Sequence, residues 1–312
     1  SLRRQRQMCI RDRFNGRRRD TLTTTDERSY VLLGEATVTP GQGLSTVIDP
    51  NLPPWIGEEI RDFAPHVGQY YRDRLGAPGA GGDTPIVMVA WNGPTERMTS
   101  MGGSVLPGLI VMSFEGRGVT TPQAEIRERS RWFIGHEGAH FWLGQTVRYQ
   151  FADEAWITEG GADLMAVRAL KALDPAYDAR NELQSEVDDC ADLAKRPVAQ
   201  AGERGEHRAY YACGAVFALA AEGAQRQRTG GDWFDFLKPL LRQPDGVLSR
   251  EEWLGGLTRV SRDPSLRGDV ERLLDQGAAD PSAVIARLFQ RTGVAFRLVD
   301  GRVVLNLSLI HI

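Results

Sequence analysis

Apolar positions along the chain recur with two different periods. Between Leu52 and Leu75, the residues Ile56, Ile60, Phe63, Val67, Tyr70 and Tyr71 return at the spacing that lines one face of an α-helix. Pro53 and Pro54 open the segment and Gly76 closes it, which predicts an amphipathic helix. After the loop GAPGAGGD, the unbroken run PIVMVAW from Pro85 to Trp91 predicts a buried strand, and Leu106 to Phe114 a second strand pair. Thr121 as N-cap, Pro122 at the first helical position and Glu125 in the first turn predict a helix with no breaker before Gly144. Beyond Trp156, Thr158 is placed to cap another helix, which runs to about Leu173 and stops at Asp174-Pro175. Ala209 to Ala221 is predicted helical, and Trp233 to Phe289 alternates helical segments with turns such as Gln243-Pro244-Asp245-Gly246. Phe296 to Leu305 reads as a hairpin about Asp300-Gly301, a pair suited to a tight primed turn. No internal repeat is visible.

Composition adds bounds to this pattern. With 312 residues, 41% hydrophobic and 25% charged, the chain has the make-up of a globular protein and room for one large domain or two modest ones. The longest uncharged apolar run, Ala209 to Ala221, falls short of the ~20 residues of a membrane-spanning helix and reads as a buried core helix. The terminal segments SLRRQRQMCIRDR and LSLIHI resemble translated adapter sequence, so residues 1–13 and 307–312 are expected to stand outside the folded protein. The first of them carries five Arg and one Asp, and without it the net charge moves from −3 to −7. The basic start is therefore no argument for a nucleic-acid partner. Cys9 lies in that segment, which leaves Cys190 and Cys213, either two buried thiols or one disulfide. The even count favours the disulfide and with it an exported protein, periplasmic or extracellular.

The chemistry concentrates in two short segments. GHEGAHFWLG sets His136 and His140 four residues apart, so on a helix both imidazoles project from one face and reach one ion. Glu137 then points beside the metal and suits a base acting on metal-bound water. AWITEGGAD supplies Glu159 at the start of the next helix, completing a His2Glu set with one coordination position open, the hallmark of a catalytic zinc site. An apolar-core reading is poor, because a buried unpaired Glu137 would cost several kcal/mol.

These two segments resemble the zinc-binding stretch of the aminopeptidase N and leukotriene hydrolase family. There the pentapeptide is followed by Trp and Gly, and then, with eighteen residues between it and the second His, by the third ligand in a Trp-x-x-Glu-Gly context. Trp142, Gly144, Trp156, Glu159 and Gly160 stand in those places. YACGAV is similar to the family's Tyr-x-Lys-Gly, whose Tyr steadies the oxyanion of the tetrahedral intermediate; Tyr211 and Gly214 fit it, and Cys213 replaces the Lys. The family's Gly-x-Met-Glu-Asn strand, whose Glu grips the substrate's amino group, corresponds to Gly102-Gly103-Ser104-Val105-Leu106, so Val105 stands where that Glu should be.

The resemblance implies a gluzincin, an α+β, thermolysin-like two-lobe zincin with a mixed sheet lobe, a zinc-binding helix and a helical C-terminal lobe. The catalytic domain is placed at residues 44–225, after a remnant of an upstream region at 14–43 and before a helical region at 226–306. The implied function is a zinc-dependent peptidase with one Zn2+ per chain and a peptide or protein substrate, with aminopeptidase specificity in question at Val105. Two alternatives remain: a binding or scaffolding protein that has lost turnover, as Val105 and Cys213 suggest, and a zinc hydrolase of a non-peptide bond. Asp163, one turn after Glu159, is either a carboxylate orienting a ligand His through its second nitrogen or a solvated helix residue. His207 is expected on a surface loop and His66 on an exposed helix face. Trp132 and Trp142 are expected in the core, and Tyr210 competes with Tyr211.

Overall fold

A computed structural model describes residues 8–14, 17–22, 36–79 and 84–306. The expected terminal segment 307–312, and the part of 1–13 before Met8, lie outside them. Strands β1 (Met8–Phe14) and β2 (Arg17–Leu22) form a two-stranded antiparallel sheet of their own. The main sheet takes β3 (Val38–Thr39) and β4 (Ser45–Ile48), then, after helix α1 (Pro54–Leu75), β5 (Ile86–Trp91), β6 (Ser100–Leu106) and β7 (Leu109–Glu115). Its order is β3-β4-β5-β7-β6: the central three strands are parallel, and β3 and β6 are antiparallel edges. Helices α2 (Ala124–Ala139), α3 (Trp156–Leu173), α4 (Ala179–Leu193), α5 (Arg208–Thr229), α6 (Trp233–Leu240), α7 (Arg250–Ser261), α8 (Ser265–Asp275) and α9 (Pro281–Thr292) follow, and β8 (Phe296–Val299) and β9 (Arg302–Leu305) close the chain as a hairpin. The architecture is α+β, a mixed sheet joined to a helical body. No helix among the described residues is long and apolar enough to cross a membrane.

Helix α1 begins at Pro54, whose missing N–H costs nothing in the first turn, and buries Ile56, Ile60, Phe63, Val67 and Tyr71 as the periodicity requires. The hairpin turns on Asp300 and Gly301, both at positive φ. Other boundaries shift for local reasons. Thr121 is extended and follows a short 3₁₀ turn at Arg117–Thr120; α2 starts at Ala124, after Gln123, whose side chain is turned back to the Gly118 carbonyl. The same helix stops at Ala139 instead of running on to Gly144, because Phe141–Val147 closes into a tight loop through Thr146 N–H to Phe141 O and Gly144 N–H to Val147 O. Thr158 does not cap α3. It lies in the first turn, and the helix opens at Trp156 from a 3₁₀ lead-in over Ala152–Glu154. The expected strand pair is longer than the reading, with β6 reaching back to Ser100 and the chain reversing at Pro107-Gly108.

The contact that positions the site is the crossing of α3 and α5. A Cβ on Gly160 would stand 2.1 Å from the Ala215 nitrogen, and one on Gly214 would stand 2.2 Å from the Trp156 carbonyl oxygen. Only glycine at both positions lets the two backbones meet. Around the crossing, Trp156 stacks edge-on against Phe217 and Trp253, and all three are buried. A disulfide between Cys190 and Cys213, with Cα atoms 4.7 Å apart, ties α4 to α5, so the thiol pair is bridged.

Candidate metal centre and active site

His136 lies in the last turn of α2, His140 at its C-cap and Glu159 in the first turn of α3. Their ligand atoms converge. His136 Nε2 and His140 Nε2 are 3.0 Å apart, and Glu159 Oε2 lies 3.4 and 3.3 Å from them. Nitrogen and oxygen ligands held about 2.0–2.1 Å from zinc at tetrahedral angles are roughly 3.3 Å from one another, so the three atoms already stand at the separations one ion sets. Among the described residues this is the one group of three such side chains close enough to share a metal.

The surrounding hydrogen bonds show what the centre lacks. His140 Nδ1 lies 2.8 Å from the Leu143 carbonyl, and His136 Nδ1 lies 2.7 Å from Asp163 Oδ1. Both oxygens accept, so both Nδ1 atoms donate, and each neutral ring turns the Nε2 lone pair toward the other. Glu159 Oε2 joins them, buried and without a hydrogen bond. Three acceptors facing one another without a proton make a hole that a cation fills, and two imidazoles with one carboxylate suit zinc. Without the ion a proton takes that place: burial opposes the charged ring, yet the hydrogen bond to Asp163 and the Glu159 carboxylate 3.4 Å away push His136 up to about 10. Burial alone would raise Glu159, but the two imidazoles hold it well below the usual carboxylate range.

Glu137 is half-buried beside this centre and lines a 410 Å³ space with His136, Asp163 and Tyr211. Burial pushes its carboxyl above the usual range against the pull of the two histidines. The Tyr211 ring stacks on His136 with centroids 5.6 Å apart, and burial and the Glu159 carboxylate keep its hydroxyl protonated far above neutral pH. Tyr210 points elsewhere: its hydroxyl accepts from Gly202 N–H and donates to the Ala199 carbonyl. Of the two readings of Asp163, the structure shows the buried carboxylate on a ligand ring. His207 sits at the N-cap of α5 beside Tyr210, bordering a 620 Å³ cavity that Glu159 and Tyr211 also line, and His66 is exposed. Trp142 is in the core with its indole N–H on the Gly76 carbonyl, whereas Trp132 is half-buried, packed against the core and also lining the space around His136.

Edge strand β6 runs beside the centre. Val105 borders a 440 Å³ cavity with His140 and Glu159, and Gly102 and Gly103 border a 660 Å³ cavity on the other side. No residue of β6 is acidic.

The fold is shared with zinc metallopeptidases. Native yeast LTA4 hydrolase superposes with a TM-score of 0.59 at 14% identity, over 82% of this chain and 42% of that one. The M1 zinc metallopeptidase of Deinococcus radiodurans gives 0.54 at 17% identity, over 79% of this chain and 52% of that one, and a variant of it bound to a Tyr-Ser-Ala substrate gives 0.51 at 16% identity. This chain thus spans about two-fifths to a half of the length of those proteins. No family model matches the sequence, and no curated protein is similar to it.

Elements unread in the sequence complete the site. Arg208 reaches toward Asp163 at 3.9 Å and pairs with Glu186 at 2.9 Å and Asp189 at 2.8 Å. The signal was present: Glu182, Glu186 and Asp189 recur at helical spacing on α4. Nothing in that spacing says that the stripe faces Asp163.

Proposed function

We propose that this chain is a zinc-dependent peptidase that cleaves internal peptide bonds. The observation that carries the reading is the trio His136 Nε2, His140 Nε2 and Glu159 Oε2, oriented by Asp163 and the Leu143 carbonyl into an acceptor-only hole. Zinc held there would supply Lewis-acid polarisation of the carbonyl and lower the pKa of water to about 7. Glu137 is placed as general base: it takes a proton from the attacking water as the carbon–oxygen bond forms, then delivers it to the departing nitrogen as the carbon–nitrogen bond breaks. Tyr211 donates its hydroxyl to the oxyanion that develops on the former carbonyl oxygen. An extended substrate adds to the free edge of β6 through backbone hydrogen bonds. Val105 leaves the cost of desolvating a terminal ammonium unopposed, which favours internal bonds over an amino terminus.

The disulfide supports an oxidising compartment, and an exported protein is part of the proposal. The residue assignments 44–225 for the catalytic region and 226–306 for the helical region belong to it as well. The test is hydrolysis of a mixed peptide library by the zinc-loaded chain, with chelator and after zinc is returned, beside Glu137→Gln. Wild type should lose cleavage with chelator and regain it with zinc, while Glu137→Gln should bind a full equivalent of zinc and cleave nothing. Loss of zinc in Glu137→Gln would overturn its role as base, and a library left intact by zinc-loaded wild type would favour the binding-protein alternative.

A further inference from the structure

The cleft extends past the metal centre on the Gly102 side. Its 660 Å³ cavity is bounded by Gly102 and Gly103 of β6, Trp132 of α2, Tyr177 and Glu182. Glu182 and Trp132 also border the smaller space that holds His136, Glu137 and Tyr211, so these two side chains stand where the cavity opens toward the chemistry.

Glu182 is half-buried, yet its carboxylate makes no hydrogen bond and no ion pair with any other described residue. Two of the cations nearby, Arg208 and Arg131, are engaged elsewhere. Arg208 pairs with Glu186 and Asp189, and Arg131 pairs with Glu59 and with Asp174 at 3.0 Å. Arg129 and Glu128 lie on the exposed rim of the cavity. Among the described residues the buried Tyr177 hydroxyl in the same region has no hydrogen-bond partner, and Oδ2 of the buried Asp163 has only Arg208, at 3.9 Å. Burial and the Asp163 carboxylate push Glu182 above the usual carboxyl range against the pull of Arg208. A carboxylate partly withdrawn from water without a partner carries a cost, and a cation from outside the chain relieves it. The aromatic faces of Trp132 and Tyr177 supply the apolar and cation–π contacts that a long cationic side chain uses.

We infer that Glu182, between Trp132 and Tyr177, is the anionic end of a subsite for a lysine or arginine side chain of the substrate, next to the bond that is cut. The substrate in this statement rests on the peptidase reading; the capture of a cation does not.

The test therefore has two arms on the zinc-loaded full-length chain. In the first, n-butylguanidinium is titrated and the indole N–H resonance of Trp132 followed by NMR, with neutral n-pentanol as control. A saturable shift with the guanidinium alone is expected, lost in Glu182→Gln and Glu182→Lys and kept in the rim variant Glu128→Gln. In the second, acetylated and amidated peptides carrying one Lys, scanned through every position, are compared with norleucine twins. At one position kcat/KM should favour Lys by roughly tenfold, the order expected of one charged hydrogen bond, and the ratio should fall to about one in Glu182→Gln. No guanidinium shift, an equal shift in Glu182→Gln, or a Lys preference that survives Glu182→Gln would overturn the subsite. A Glu182-dependent guanidinium shift with every peptide left uncut would uphold the subsite and bring down the peptidase reading instead.

Discussion

At the scale of single residues, the two adjacent tyrosines part company through their hydroxyls. Tyr210 is saturated by Gly202 and Ala199, while Tyr211 lies over His136 with its proton held firmly. Tyr211→Phe should lower kcat by ~10² to 10³ with little change in KM, as removal of one oxyanion donor does, and Tyr210→Phe should cost stability but little rate. Steady-state kinetics on one internally cleaved peptide decides, and equal rates for the two variants would remove Tyr211 from the mechanism. His136 makes a second prediction. Its metal-free form, pushed up to about 10, carries a proton at pH 7 that zinc must displace. The zinc-free form is thus favoured as pH falls, and apparent zinc affinity should rise about tenfold per pH unit up to the His136 pKa. Calorimetric titration in two buffers of different ionisation enthalpy should show about one proton released at pH 7; none released would mean that His136 is already neutral.

At the scale of elements, β6 bears on the proposed specificity by what it lacks. An edge strand offers a row of free backbone groups to any extended peptide, and Val105 offers nothing ionic to an amino terminus. A peptide and its N-acetylated twin should therefore be cut at similar rates, within about threefold, because acetylation removes a charge that this strand does not hold. A strong preference for the free amine in that comparison would require another carboxylate to do the work, and the endopeptidase reading would fall. Helices α3 and α5 contribute differently. Their glycine crossing brings Glu159 and Tyr211 both close to His136, and the disulfide from α4 holds α5 at a point two residues from Tyr211.

At the scale of the molecule, the metal centre joins α2 to α3, which also pack on α1 and α5, so an ion there stabilises the native state by mass action. Zinc at about a thousand times its dissociation constant adds about 4 kcal/mol, which for a body of this size raises the melting temperature by roughly 10 °C. Thermal unfolding with zinc and with chelator measures this, and coincident transitions would show that the trio does not bind zinc in the folded chain.

The pairing of His136 and His140 was legible in the sequence because its geometry is local. A four-residue separation on a helix puts two imidazoles on one face whatever surrounds them, and Pro54, Gly76 and Asp300-Gly301 punctuate their elements by backbone sterics alone. Boundaries set by longer contacts were not legible. Gln123 rather than Thr121 precedes α2 because its side chain turns to Gly118, and α2 stops at Ala139 because the next loop closes on itself. Asp163 stayed undecided between two roles until α3 was docked on α2, since a carboxylate one turn along a helix carries no mark of what it faces. Trp132, Glu182 and Arg208 depend wholly on tertiary structure: their types and spacings fit any solvated or packed helix face, and only the meeting of α2, α4 and α5 around one cleft sets them beside the same centre.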